Sequence, residues 1–220
     1  MTVSVSLKKG GNVSLTKTSP GLKTIAIGLG WDVRQSSGAA FDLDASAFML
    51  TDKGKLLTSQ HLIYFGNLKS PDGSIVHQGD NLTGEGEGDD EVINVTLDKI
   101  PATVQKILFT VNIYQAEARH QNFGMIQNAF IRVVNMDVAA SSPPAESKPQ
   151  GVFGKLFGGS TPASKTVSGQ ELTRYDLAEE FGLETSLIFG ELYRYNDEWK
   201  FRAVGQGFKG GLVELKKMYS

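Results

Sequence analysis

Cysteine is absent from all 220 residues. Disulfides, thiolate metal sites and cysteine nucleophiles are therefore excluded. Histidine is scarce: His61, His77 and His120 stand apart, without HExxH or paired spacing, so a histidine-based zinc site has no visible ligands. Packed or solvated roles are expected for all three, although His77 lies close enough to Asp80 to tune local charge below neutral pH. No hydrophobic run approaches the roughly 20 residues of a membrane span, so an integral membrane protein is not expected. Met1 to Gly11 carries no apolar stretch and does not read as a secretory signal, which makes the cytoplasm the expected location. Basic charge is not in excess either. The 22 Lys and Arg face 24 Asp and Glu, which gives no electrostatic case for nucleic acid. No GxxxxGK[ST] phosphate loop is present. Gly205-Gln206-Gly207-Phe208-Lys209-Gly210 matches GxGxxG, but no βαβ unit follows it, so a glycine turn closing the last strand is expected.

Glycine, at 25 residues, is plentiful, and so is alternation with period two. Ile25, Ile27 and Leu29 alternate with smaller residues, and Ile107, Phe109, Val111 and Ile113 with Leu108, Thr110 and Asn112. Leu187, Phe189, Glu191, Tyr193 and Tyr195 do the same and are expected to share one packed face. Val92–Leu97, Ala129–Val134 and Glu198–Val204 are further strand candidates, bounded by Gly, Asn, Asp and Pro clusters. Only Tyr175–Phe181 and Leu212–Tyr219 read as helices. The pattern predicts an all-β fold: a β-sandwich of two mostly antiparallel sheets with a few short helices. Trp31 and Trp199 are expected in the core or at its rim, and Glu117 and Glu191 are expected to pair with Arg119 and Arg194. One domain is expected over residues 1–220. A segment at 138–169, rich in Ser, Pro, Ala, Gly and Lys, is expected to interrupt it as a disordered insertion. Its one apolar island, Val152 to Phe157, reads as a sticky spot in that insertion.

Charge is unevenly placed. Asp80, Glu85, Glu87, Asp89, Asp90 and Glu91 fall in one window without Lys or Arg. Taking these six charges out of the formal −2 leaves the remainder of the chain at +4. So many carboxylates repel unless a cation lies among them. Calcium takes about six to eight oxygen ligands in irregular geometry. Asn81 and Thr83 add neutral oxygens, and Gly84, Gly86 and Gly88 let the backbone curl so that carbonyls face an ion. The loop is not an EF-hand, because Leu82 and Glu85 occupy the positions that need a ligand and a glycine. Further ligands are expected from Asp42 and Asp44, which alternation places on one strand face away from Phe41 and Leu43, and from Asp32. A solvated acidic loop explains the same composition equally well.

Longer motifs break the tie. Lys9-Gly10-Gly11-Asn12-Val13-Ser14-Leu15, Gly28-Leu29-Gly30-Trp31-Asp32, Phe41-Asp42-Leu43-Asp44-Ala45-Ser46 and the acidic loop resemble the TerD family of tellurium-resistance proteins. Glu117-Ala118-Arg119, Asn122-Phe123-Gly124, Asn128 to Arg132 and Phe189 to Arg194 extend the resemblance over nearly the whole chain outside 138–169, where it departs from the compact family pattern. The resemblance implies a calcium-binding β-sandwich holding two ions. Asp42, Asp44, Asp80, Asn81 and Asp89 to Glu91 match the family's ligand motifs. The full expected metal set is Asp32, Asp42, Asp44, Asp80, Asn81, Thr83, Gly84, Gly86, Glu87, Asp89, Asp90 and Glu91. The resemblance also implies a bacterial stress-response setting. Partners would come from other tellurium-resistance or stress-response proteins, in the cytoplasm or at the inner membrane surface. The expected role is a calcium-dependent binding or scaffold module rather than an enzyme. A metal-dependent hydrolase of phosphorylated substrates is the rival. Lacking thiolates, the chain is expected to act on tellurite only indirectly.

Overall fold

Alternating apolar rows on separate strands need each other as cover. Ile25, Ile27 and Leu29 are fully buried, as are Ile107, Phe109 and Val111, and all six lie in one hydrophobic core. The computed structural model of the chain describes residues 4–33, 41–79, 88–138, 167–178 and 181–220. In chain order the strands are β1 Val5–Leu7, β2 Asn12–Ser14, β3 Thr24–Val33, β4 Leu43–Leu50, β5 Leu62–Ile63, β6 Ile75–His77, β7 Glu91–Thr96, β8 Lys106–Ile113, β9 Ile126–Asn135, β10 Gln170–Asp176, β11 Ser186–Tyr195 and β12 Glu198–Phe208. The α-helices are α1 Leu15–Thr18, α2 Ala116–Arg119 and α3 Leu212–Tyr219. The strands form two sheets, β1-β10-β9-β3-β7-β6 and β2-β12-β11-β8-β4-β5. Every pairing is antiparallel except the parallel one of β1 with β10. The expected all-β sandwich is the observed fold.

The second sheet is covered on both faces. Helix α3 lays Leu215 onto Phe48, Leu50, Leu62, Leu108 and Ile188, and the Tyr219 ring lies 5.6 Å from that of Phe48. This explains why all eight residues of β4 are buried. Glu214 closes the start of α3 by accepting the Gly211 N–H at 3.0 Å. Gly210 takes positive φ in the turn from β12 to α3, whereas Gly205 takes it inside β12, at the irregularity opposite Ile188–Gly190, so the expected glycine turn begins only after Phe208.

Two expectations change. Among the described residues of Tyr175–Phe181 the expected helix is not formed: Tyr175 and Asp176 end β10, with Tyr175 held between Leu7 of β1 and Ile131 of β9. Pairing on both sides satisfies that backbone and overrides the local pattern. The second change is on β11, where a bulge between Ile188 and Gly190 reverses the alternation. Phe189 stays in the core, but Glu191 and Tyr193 turn to the outer face and Tyr195 is exposed. Glu191 therefore pairs with Lys106 and Arg202. Arg194 instead donates to the carbonyls of Ile100 and Val104 and stacks on Trp199. Of the segment expected to be an inserted loop, Val138 and residues 167–169 are described. Val167 packs on Ala26, Val92 and Val134 on the outside of the first sheet. Gly169 lies so close that a Cβ there would meet the Asn135 carbonyl oxygen at 2.5 Å. The rest of that segment, including Val152–Phe157, lies outside the described residues.

Candidate functional site

The end of β3 and the starts of β4 and β7 meet at one end of the sandwich. Leu29 is paired with Glu91, and the Ala45 N–H reaches across from the other sheet to Glu91 Oε2 at 2.7 Å. Asp32, Asp89, Asp90 and Glu91 come here from the β3 and β7 ends of the first sheet, and Asp42 and Asp44 from the start of β4 in the second, with their side chains turned to that sheet's outer face. Asp80, Asn81, Thr83, Gly84, Gly86 and Glu87 lie outside the described residues.

Each described carboxylate has its own environment. Asp89 lies flat over Gly28, where an added Cβ would come 2.2 Å from its Oδ1. Arg132, the cross-strand neighbour of Gly28, grips it with both arms: Nε to Oδ1 at 2.8 Å and a terminal nitrogen to Oδ2 at 2.6 Å. The Val167 N–H adds a third bond at 3.2 Å. The carboxylate raises the Arg132 pKa, against the effect of burial. Asp89 is thus committed to neutralising a buried arginine.

Asp90 is only 4% exposed and accepts the Trp31 N–H at 2.8 Å. Burial pushes its pKa up to about 6; the Trp31 N–H works against this, while the charges of Asp32 and Asp89 add to it. Asp32, exposed, accepts from Asn128 Nδ2 at 2.7 Å.

Glu91 and His77 form a buried pair, with Oε2 and Nε2 at 3.2 Å and both side chains 1% exposed. The Gly79 N–H donates to His77 Nδ1, so the ring hydrogen sits on Nε2 and faces the carboxylate. His77 therefore braces Glu91, the residue that ties the two sheets together.

Phe41 and Leu43 enter the core, which turns Asp42 and Asp44 to the opposite side, as the alternation predicts. Asp44 is buried and accepts from Asn112 Nδ2 at 3.2 Å. Asp42 lies 3.9 Å from Arg119. Among the described residues alone, no three carboxylate or imidazole side chains converge as a metal cage. Arg132, Arg119, Asn112 and Asn128 are the partners that pattern alone missed. The motifs Asn128 to Arg132 and Glu117 to Arg119 hinted at three of them.

The TerD domain family model matches residues 3–143 and 145–219. The chain belongs to the TerD family. It is 47% identical over 217 residues to the tellurium resistance protein TerD of Serratia marcescens, covering 99% of this chain and 97% of that protein. It is 44% identical to general stress protein 16U of Bacillus subtilis strain 168, covering 99% and 97%. A solved homologue of telluride resistance protein (TerD) from Streptomyces coelicolor A3(2) shares the fold with a TM-score of 0.63 at 20% identity, covering 91% of this chain and 99% of that one. The TerD match continues through most of the 138–169 segment. Relatives such as these carry the names of resistance or stress proteins, not of enzymes. Among the described residues no helix is long and apolar enough to cross a membrane.

Proposed function

We propose that this TerD-family chain is a calcium-dependent binding module of the bacterial stress response that holds two ions at its acidic end. The supporting observation is Asp90. A carboxylate buried to 4% exposure beside two further carboxylates, at the foot of a strongly acidic loop, is costly to ionise without a cation. Apart from the His77 imidazole, which is turned onto Glu91, the donors within reach are oxygens, which suits calcium in preference to zinc or copper. Asp90, Asp32, Asp42 and Asp44 would hold the ions together with Asp80, Asn81, Thr83, Glu87 and backbone carbonyls at Gly84 and Gly86. Asp89 and Glu91 would position them, since Arg132 and the Ala45 N–H already engage those side chains. Bound calcium would supply the positive charge that offsets the repulsion among these carboxylates. The surface so formed would be read by other tellurium-resistance or stress-response proteins, in the cytoplasm or at the inner membrane surface.

Calorimetric titration of calcium into the chelator-treated protein tests this. Saturable binding is expected, weakened strongly by Asp90→Asn and by Asp42→Asn. Free calcium at a hundred times the dissociation constant should add about 2.7 kcal/mol of stability. No heat and no change in melting temperature with calcium or chelator would refute the proposal.

A further inference from the structure

On the outer face of the second sheet, far from the acidic end, lies a groove of about 520 Å³. That is an ordinary size for a small-molecule site. Its charged lining residues are Lys9, Lys106, Arg202 and Glu191. Lys106 opens β8 and Ile113 closes it, so the groove and the acidic end stand roughly 20 Å apart along that strand.

Glu191 is the buried member, with its side chain 4% exposed. It points this way only because of the bulge in β11. Lys106 Nζ approaches it at 3.0 Å and Arg202 pairs with it from the adjacent strand. One carboxylate needs one positive charge, and here it has two. Both cations stay open to solvent, Lys106 at 37% and Arg202 at 44% of the side chain. An ammonium and a guanidinium carry more N–H donors than one carboxylate can use. Lys9 adds a third cation from the turn between β1 and β2, where the Gly10 N–H bonds to the Ala203 carbonyl. Lys9 has no ion-pair partner among the described residues. The groove therefore carries two uncompensated positive charges. Its remaining walls include Leu50, Leu108, Ile188 and Val204, with Tyr219 near enough to Glu191 to feel its charge.

We propose that this groove binds a small organic phosphate monoester, with the phosphate on Lys9, Lys106 and Arg202 and the organic part on the apolar wall. A monoester carries about two negative charges at neutral pH, which matches the excess. An apolar wall has no use for a bare inorganic anion.

The test is calorimetric titration of phenyl phosphate, inorganic phosphate and phenol into the full chain, with and without calcium. Phenyl phosphate is expected to bind once per chain, more tightly than inorganic phosphate or phenol, and equally well with calcium or chelator. Lys9→Gln, at an exposed turn, is expected to weaken binding about threefold, the size of an exposed charge contact. Glu191→Gln removes the competing carboxylate and is expected to tighten binding. A purely structural Lys106–Glu191–Arg202 cluster predicts no such gain. If Glu191→Gln fails to fold, Arg202→Gln replaces it and is expected to weaken binding. No saturable binding at millimolar phenyl phosphate, indifference to Lys9→Gln, or equal affinity for inorganic phosphate would overturn the proposal.

Discussion

Replacing Arg132 by methionine should be among the most damaging single changes in the molecule. The Asp89 side chain is fully buried and Arg132 is 16% exposed, and the two share a bidentate contact. Methionine keeps much of the arginine's volume but leaves Asp89 charged, buried and supported only by the Val167 N–H. Breaking one side of a buried pair costs about 3–5 kcal/mol. For a chain of this length, about 2–4 °C is lost per kcal/mol, so the melting temperature should fall by roughly 6–20 °C. The double variant Arg132→Met, Asp89→Leu removes both charges and should recover most of the loss, because apolar replacement of a buried pair is often neutral. Urea denaturation of wild type, both single variants and the double variant gives the coupling energy directly. The cycle is run in calcium and in chelator. Equal losses in both support a bracing role for Asp89, and a loss for Asp89→Leu confined to calcium would make it a ligand. A cost below about 1 kcal/mol for Arg132→Met, or simple additivity in the cycle, would refute the reasoning.

Gly28→Ala should act on the same pair from below. Its Cβ would sit 2.2 Å from Asp89 Oδ1, so the carboxylate must lift off Arg132, at a cost of about 1–3 kcal/mol by denaturation. Asp90 should give the calcium-free protein an unusual pH dependence. Its folded pKa of about 6 lies above the ordinary 3.8, so its stabilising contribution is complete below 3.8 and lost as pH rises through about 6. At about 1.36 kcal/mol per unit, the full swing is about 3 kcal/mol. Denaturation in chelator across that range should show the decline, and Asp90→Asn should flatten it.

The long strands were legible because their periodicity is long enough to register, as in Ile25–Leu29 and Ile107–Ile113. Strands of two or three residues, such as β1, β5 and β6, are made by their neighbours and leave no periodic trace. Tyr175–Phe181 misled for that reason: its strand state is set by partners far away in sequence. Glu191 was placed with Arg194 because a single bulge cannot be read from alternation, and that residue shift moved a carboxylate to the opposite face. At the acidic end, carboxylate types and spacing were visible in sequence. What each carboxylate touches was not, since Arg132 lies 43 residues from Asp89 and Ala45 lies 46 residues from Glu91.

The sheet order has a consequence for how the chain is made. β1 pairs only with β10, and β2 only with β12, so the first two strands wait for the last third of the polypeptide. With Val5 partnered to Thr173, synthesis at about 5–20 residues per second leaves β1 without its neighbour for roughly 8–30 s. Neither sheet can be finished on the ribosome until the other is nearly complete. A nascent chain halted after β9 would expose an open edge on each sheet, and unpaired edges of that kind invite pairing with other chains.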